Sequence, residues 1–234
     1  MNRFLASLVI TTMFFTFTYS QWNESSTGIY GGHVNCIAYD SVHGYLYAGA
    51  FNNGIFFSDD RGISWAARNN GLEEKHVKSI HPCDSMVYAA TFNGLYVSTD
   101  CGAQWIELIE GGQWSCVGNH GSKIFAGNSW KGLYMSSDLG DTWIESDSGL
   151  LDDDITALVF LDEKIVVGTH GGGIFRSSDD GISWKEINNG LMNKKITCLT
   201  TGHDRVYAGT EYGLYWSEDN GDSWNKAGSG LYDD

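Results

Sequence analysis

Apolar and polar positions alternate along this chain in short runs that return at a regular interval. YLYAGA (Tyr45–Ala50), VYAAT (Val87–Thr91), IFAGN (Ile124–Asn128), IVVGT (Ile165–Thr169) and VYAGT (Val206–Thr210) each alternate and end on small residues. A second run follows each of them (GIFFS, GLYVS, GLYMS, GIFRS or GLYWS), and then a polar turn closes on tryptophan. Alternation with a period of two between turn residues predicts β-strands. Beyond the tryptophan, Gly-bearing loops such as NNGL (Asn69–Leu72), DSGL (Asp147–Leu150), NNGL (Asn188–Leu191) and GSGL (Gly228–Leu231) precede a further strand of the ITALVF type. The pattern predicts four short strands, lettered A to D, in each unit of roughly 40 residues, within the range of repeat architectures.

The polar turns are copies of one motif. SDDRGISW ends at Trp65, STDCGAQW at Trp105, SSDLGDTW at Trp143, SSDDGISW at Trp184 and SEDNGDSW at Trp224, spaced by 40, 38, 41 and 40 residues. A single four-stranded unit cannot bury both faces of its sheet, so such units stack side by side around an axis. The expected fold is an all-β β-propeller with five recognisable four-stranded blades, at roughly 33–68, 76–109, 113–146, 154–187 and 195–226. Trp22 aligns with Trp224 and marks a leading outer strand at 21–25. Two readings follow: a five-bladed ring with a tail, or the front part of a ring of six to eight blades. The second is preferred, because GLYDD stops where other units run on into ITALVF or ITCLT. In that case residues 33–39 carry an unpaired blade face.

The motif Ser-x-Asp-x-Gly-x-Ser/Thr-Trp resembles the Asp-box (BNR) repeat of sialidase-like propellers, and the resemblance covers nearly the whole chain after residue 20. Its physical role is structural. The carboxylates of Asp60, Asp100, Asp138, Asp179 and Asp219 are placed to accept backbone N–H groups of the tight C–D turn. The tryptophans bury their rings against the blade, worth at most about 5 kcal/mol each for ~200 Å². Gln104 stands where Ser or Thr is usual and removes one hydroxyl contact. Five identical boxes around a ring cannot share one active site, so the box aspartates are not read as catalytic.

Charge narrows the partners. Lys+Arg 14 against Asp+Glu 29 gives a net charge of −15, which argues against nucleic acid and anionic membrane surfaces. A hydrophobic content of 42% excludes wholesale disorder, and 30 Gly with a single Pro suit many tight turns. Residues 1–20 read as a secretory signal peptide, with Arg3, an apolar stretch from Phe4 to Phe17, and cleavage near Ser20. That stretch is too short to span a bilayer, where roughly 20 residues are needed, so no membrane insertion is expected. Removing Arg3 leaves 13 − 29 = −16 on an exported chain, secreted, periplasmic or at the cell surface. Asn23-Glu24-Ser25 is a glycosylation sequon.

Cys36, Cys116 and Cys198 share one A-strand slot, where other units have Ser79 and Ala157, and read as small core residues. Cys83 and Cys101 lie in turns on one face of one blade and are a candidate disulfide. The seven histidines show no HxH or HExxH spacing, so neither a metal nor a cofactor is expected.

In a propeller of this topology the boxes occupy one face, which leaves the B–C and D–A loops of the other for binding. There Phe51, Phe92, Trp130, His170 and Tyr212 fall at nearly matching places, beside Glu73, Glu74, Glu110, Asp152, Asp153, Asp154, Asp233 and Asp234. Rings beside carboxylates suit a sugar. Active sialidases carry an Arg-Ile-Pro motif and an arginine triad; this chain has neither the motif nor any Arg beyond Arg61, Arg68, Arg176 and Arg205 after residue 20. GGHVNCIAYD (Gly31–Asp40) is similar to the early stretch of secreted xyloglucan-hydrolysing propellers, but Asn35 stands where that family has a catalytic Asp. A neutral amide is neither base nor proton donor. The photosystem II assembly factor and sortilin-type domains share the repeat and bind proteins. The expectation is a monomeric, non-enzymatic secreted scaffold whose partner is an extracellular glycan or protein. The alternative is a glycoside hydrolase with an incomplete site in this chain, using Asp154.

Overall fold

The computed structural model describes residues 27–29 and 33–227. The expected signal peptide at 1–20, the expected leading strand at 21–25, the Asn23 sequon, Asp233 and Asp234 lie outside the described residues.

Blade one consists of β1 (Val34–Asp40), β2 (Tyr45–Ala50), β3 (Ile55–Ser58) and β4 (Ala66–Ala67). Blade two has β5 (Val77–Cys83), β6 (Met86–Thr91), β7 (Gly94–Ser98) and β8 (Ile106–Glu110). Blade three has β9 (Trp114–His120), β10 (Lys123–Asn128), β11 (Gly132–Ser136) and β12 (Ile144–Glu145). Blade four has β13 (Ile155–Leu161), β14 (Lys164–Thr169), β15 (Ile174–Ser177) and β16 (Lys185–Glu186). Blade five has β17 (Ile196–Gly202), β18 (Arg205–Thr210), β19 (Gly213–Ser217) and β20 (Asn225–Lys226). Each blade is an antiparallel sheet with its strands in chain order, so the chain is an all-β, five-bladed β-propeller. The first strands β1, β5, β9, β13 and β17 pack against one another in succession.

The second strands are buried more completely than their alternation suggests. Tyr47 and Ala48, Tyr88 and Ala89, Phe125 and Ala126, and Val166 and Val167 are consecutive pairs, all fully buried. Consecutive strand residues point to opposite faces, so both faces of these blades are covered. Four apolar clusters fill the joints between neighbouring blades, and a fifth sets Ile29 against Ala48, Phe56 and Trp65. The small residues that end the second strands admit the next blade: a Cβ on Gly127 would lie 2.5 Å from Ile155 Cγ2. Among the described residues no apolar cluster joins blade five to blade one, and Ile37 and Tyr39 on β1 are 68% and 61% exposed.

The Asp-box turns are closed by their own side chains. Ser58 Oγ donates to Asp60 Oδ1 at 2.7 Å and accepts the Gly62 N–H at 2.8 Å. Asp60 also accepts the Ser64 N–H at 2.9 Å and the Ser64 hydroxyl at 2.6 Å. Asp138, Asp179 and Asp219 repeat this set with Thr142, Ser183 and Ser223. Asp100 receives only an N–H from Gln104 in place of the N–H and hydroxyl pair. The donated bonds hold Asp60, Asp138, Asp179 and Asp219 at about 2, with the hydroxyls of Ser64, Thr142, Ser183 and Ser217 the largest influence on each. Asp100 is also lowered, chiefly by the Gln104 N–H.

The box tryptophans do more than fill space within a blade; most of them tie it to the one before. Trp105 Nε1–H donates to Arg68 O at 2.9 Å, Trp184 Nε1–H to Ser146 O at 2.6 Å, and Trp224 Nε1–H to Ile187 O at 2.7 Å. Their backbone N–H groups donate to Asn70, Ser148 and Asn189 of the same preceding connectors, and Trp65 N–H donates to Thr27 O. The connector glycines press against these tryptophans. A Cβ on Gly149 or Gly190 would sit 2.3 Å from the Trp184 or Trp224 carbonyl oxygen, at φ values of +95° and +85°. Blade three breaks the rule. The connector before it is only residues 111–113, against 68–76, 146–154 and 187–195 elsewhere, and Trp143 Nε1–H bonds within its own turn to Gly140 O.

Candidate functional site

On the face opposite the boxes, each B–C loop is sewn to the residue that precedes the first strand of the same blade. The N–H groups of Phe51, Phe92, Ser129, His170 and Glu211 donate to the carbonyls of His33, His76, Gln113, Asp154 and Lys195. This backbone pairing defines two equivalent slots per blade. Phe51, Phe92 and His170 share the first slot, whereas Trp130 and Tyr212 follow it by one residue. Blades three and five present Ser129 and Glu211 there instead, and their aromatic rings project beyond, each nearly 70% exposed.

The five rings fall into three places. Phe51 and Phe92 flank His76, with ring centroids 4.1 Å and 5.3 Å from the imidazole. Burial holds the His76 imidazole below its ordinary value, with Lys78 acting in the same sense and Glu74 opposing. Trp130 and His170 line one cavity between blades three and four, of about 630 Å³, together with Leu151, Asp152, Asp153 and Asp154. Tyr212 stands apart from both on blade five.

The lining of the cavity between blades three and four combines apolar Trp130, Leu150 and Leu151 with three aspartates and His170. Trp130 Nε1–H is held by Gln113 Oε1 at 3.1 Å, which fixes the indole while its face stays open. Asp152 is committed to the fold: Oδ2 accepts the N–H groups of Gly171 and Gly172 at 2.6 Å and 2.9 Å, and Oδ1 accepts the Asp154 N–H at 3.1 Å. Burial pushes the Asp154 carboxyl above its ordinary value; His170 opposes the rise and Asp152 adds to it.

Asn35 sits at the β-bulge between Val34 and Cys36, and its Nδ2–H donates across the joint to Val77 O at 2.9 Å. Ser115, at the matching place in blade three, donates to Ile155 O in the same way, at 2.5 Å. This position therefore works as a joint between blades, and a carboxylate there has no proton to give the carbonyl. Cys36, Cys116 and Cys198 pack against Gly49, Gly127 and Gly209, whose added Cβ atoms would each lie within 2.6 Å of the sulfur. Only Cys116 is a buried core residue, however; Cys36 is half-buried and Cys198, on the last described blade, is exposed. All five cysteines are free thiols. Cys83 packs in the joint between blades two and three, whereas the Cys101 carbonyl accepts Arg68 on the blade-one side.

His76, Gln113 and Lys195 are the site residues that loop composition does not reveal. Their signal is positional: each directly precedes the first residue of an A strand.

Residues 174–187 match the BNR-Asp box repeat. No curated protein matches the chain. Among solved structures, the GH74 xyloglucanase from Xanthomonas campestris is similar at a TM-score of 0.69 and 17% identity, covering 88% of this chain and 39% of that one. The extracellular domain of a one component system from B. thetaiotaomicron is similar at 0.70 and 20% identity, covering 86% and 28%. YCF48 bound to D1 peptide is similar at 0.66 and 14% identity, covering 86% and 68%. These likenesses are of fold, and the chain spans about a third of the length of the GH74 structures it matches.

Proposed function

We propose that this Asp-box β-propeller is an exported, non-enzymatic binding module that takes a neutral glycan on its B–C/D–A face, centred on the cavity between blades three and four. The observation that carries the reading is Trp130: its indole is 69% exposed, anchored by Gln113, and set beside Asp152, Asp153, Asp154 and His170. A fixed, open aromatic face stacks on sugar C–H groups, and the adjacent polar groups bond to hydroxyls. The excess of acidic residues favours a neutral polymer over an anionic one. The leader-like residues 1–20 support export, as does the extracellular setting of the B. thetaiotaomicron neighbour.

A second reading, glycoside hydrolysis, draws on Asp154, whose half-buried carboxyl, raised above its ordinary value by desolvation, resembles a general acid. Hydrolysis by paired carboxylates needs a second one; Asp152 is engaged by three backbone N–H groups, which leaves the exposed Asp153 as the other carboxylate lining this cavity.

A panel of neutral polysaccharides separates the readings. Binding without release of reducing ends, lost in Trp130→Ala at unchanged thermal stability, supports the module. Reducing ends that vanish in Asp154→Asn support the hydrolase. Wild-type-like binding by the Trp130→Ala protein of every polysaccharide the wild type binds refutes this site.

A further inference from the structure

The joint between blades two and three holds a second cavity, of about 300 Å³, where the connector is shortest. In the other joints a Gly-bearing connector lies against the next tryptophan and takes its indole N–H. Here β8 keeps its pairing as far as Glu110, and Gly111 to Gln113 turn directly into β9. With no connector over it, Trp143 turns its N–H to Gly140, and one side of its ring faces the gap. The walls are Trp114, Tyr134 and Trp143, with Glu110 and Lys131 among the lining residues. Trp114 and Tyr134 meet edge to face at 5.6 Å, so the surface is built of fixed rings.

One polar group in this cavity is unmatched. Asn128 is 1% exposed, and its Nδ2 has no protein hydrogen-bond partner among the described residues. The amide cannot be reversed, because Oδ1 accepts the Trp130 N–H at 2.9 Å. Blades two, four and five carry Thr91, Thr169 and Thr210 at this place. Each hydroxyl donates to the carbonyl of the glycine opposite, Gly94, Gly173 or Gly213, and accepts an N–H from its own loop. Asparagine does the second job in blade three and leaves a donor over. A buried donor without an acceptor is destabilising, and a ligand oxygen removes that cost. Gly112 leaves the space open: a Cβ there would come within 2.8 Å of Asn128 Nδ2 and 3.2 Å of Trp114 Nε1.

We infer that this cavity is a small-molecule site, distinct from the glycan cavity between blades three and four, for a single planar aromatic ring bearing a carbonyl oxygen. The ring stacks among Trp114, Tyr134 and Trp143, and the oxygen accepts the Asn128 Nδ2–H. The volume is at the lower end of ligand pockets and suits one ring with one substituent.

The probes are benzamide, toluene and acetamide, followed through the indole ¹⁵N–¹H signals of the full chain. Benzamide is expected to shift Trp114 and Trp143 saturably and to leave Trp184 and Trp224 unmoved. Toluene, which lacks the acceptor, and acetamide, which lacks the ring, are each expected to bind about ten-fold more weakly or worse. Asn128→Thr installs the residue of blades two, four and five, so the fold is retained, and benzamide is expected to weaken about ten-fold while toluene is unchanged. The inference is overturned if benzamide gives no saturable shift, if all indoles move together, or if toluene binds as well as benzamide. Benzamide binding equally to Asn128→Thr also overturns it. The wild-type comparison of the three probes stands even if the variant does not fold.

Discussion

Replacing Trp184 by phenylalanine tests whether the tryptophans clasp blades together or only fill space. The indole N–H donates to Ser146 O at 2.6 Å, and both residues are 5% exposed. Phenylalanine keeps an aromatic ring but removes the donor, which leaves the Ser146 carbonyl buried and unpaired at a cost of about 1–3 kcal/mol. The smaller ring adds roughly 1–2 kcal/mol for lost contacts and residual space. The expected loss is therefore about 3 kcal/mol. Trp143→Phe is the internal control, because its indole bonds to Gly140 within one turn and no connector depends on it. Its cost should stay at about 1–2 kcal/mol, the net worth of an ordinary hydrogen bond plus part of the ring term, since Trp143 is only half-buried. Urea denaturation followed by circular dichroism measures both, compared by midpoint at equal slope. A fall in slope for Trp184→Phe is a second expected signature, since a weakened joint lets blades of a repeat array unfold separately. Equal destabilisation by the two substitutions refutes the clasp.

Three further outcomes follow from the same geometry. Gly190→Ala puts a Cβ against the Trp224 carbonyl at positive φ and should cost at least about 1–3 kcal/mol, whereas Gly202→Ala, which meets nothing within 4 Å, should be near neutral in the same denaturation assay. The box aspartates bind protons less readily folded than unfolded, so their contribution to stability is present above their ordinary value of 3.8 and is lost as pH falls through about 2; an acid titration of the melting temperature should show this loss, reduced in Asp138→Asn. Thiol titration in denaturant without reductant should count five free cysteines, and a count of three shows a Cys83–Cys101 bridge instead.

The architecture was legible in the chain because it rests on local, repeated rules. Alternation placed the strands, the box marked each C–D turn, and small residues marked where neighbouring blades close in. Gln104 announced the weaker box of blade two, and Asp100 does lack the hydroxyl donor that its four counterparts have. The grouping of the face residues was not legible in the same way. Phe51, Phe92, Trp130, His170 and Tyr212 look alike in the sequence, yet His76 separates one pair, a cavity gathers another, and Tyr212 stands alone. The spacing of 38 residues before Trp143 was visible, but not that it uncovers aromatic walls and strands the Asn128 amide.

The sequence by itself determined the repeat, the strand order within each blade and the chemistry of the turns, because each depends on residues only a few positions apart. Tertiary structure alone decided which tryptophans reach across a joint, which side chains share a cavity and which buried donor is left without an acceptor. Those outcomes depend on the length of one connector measured against the blade beside it, and a contact between neighbouring blades has no periodicity to read along the chain.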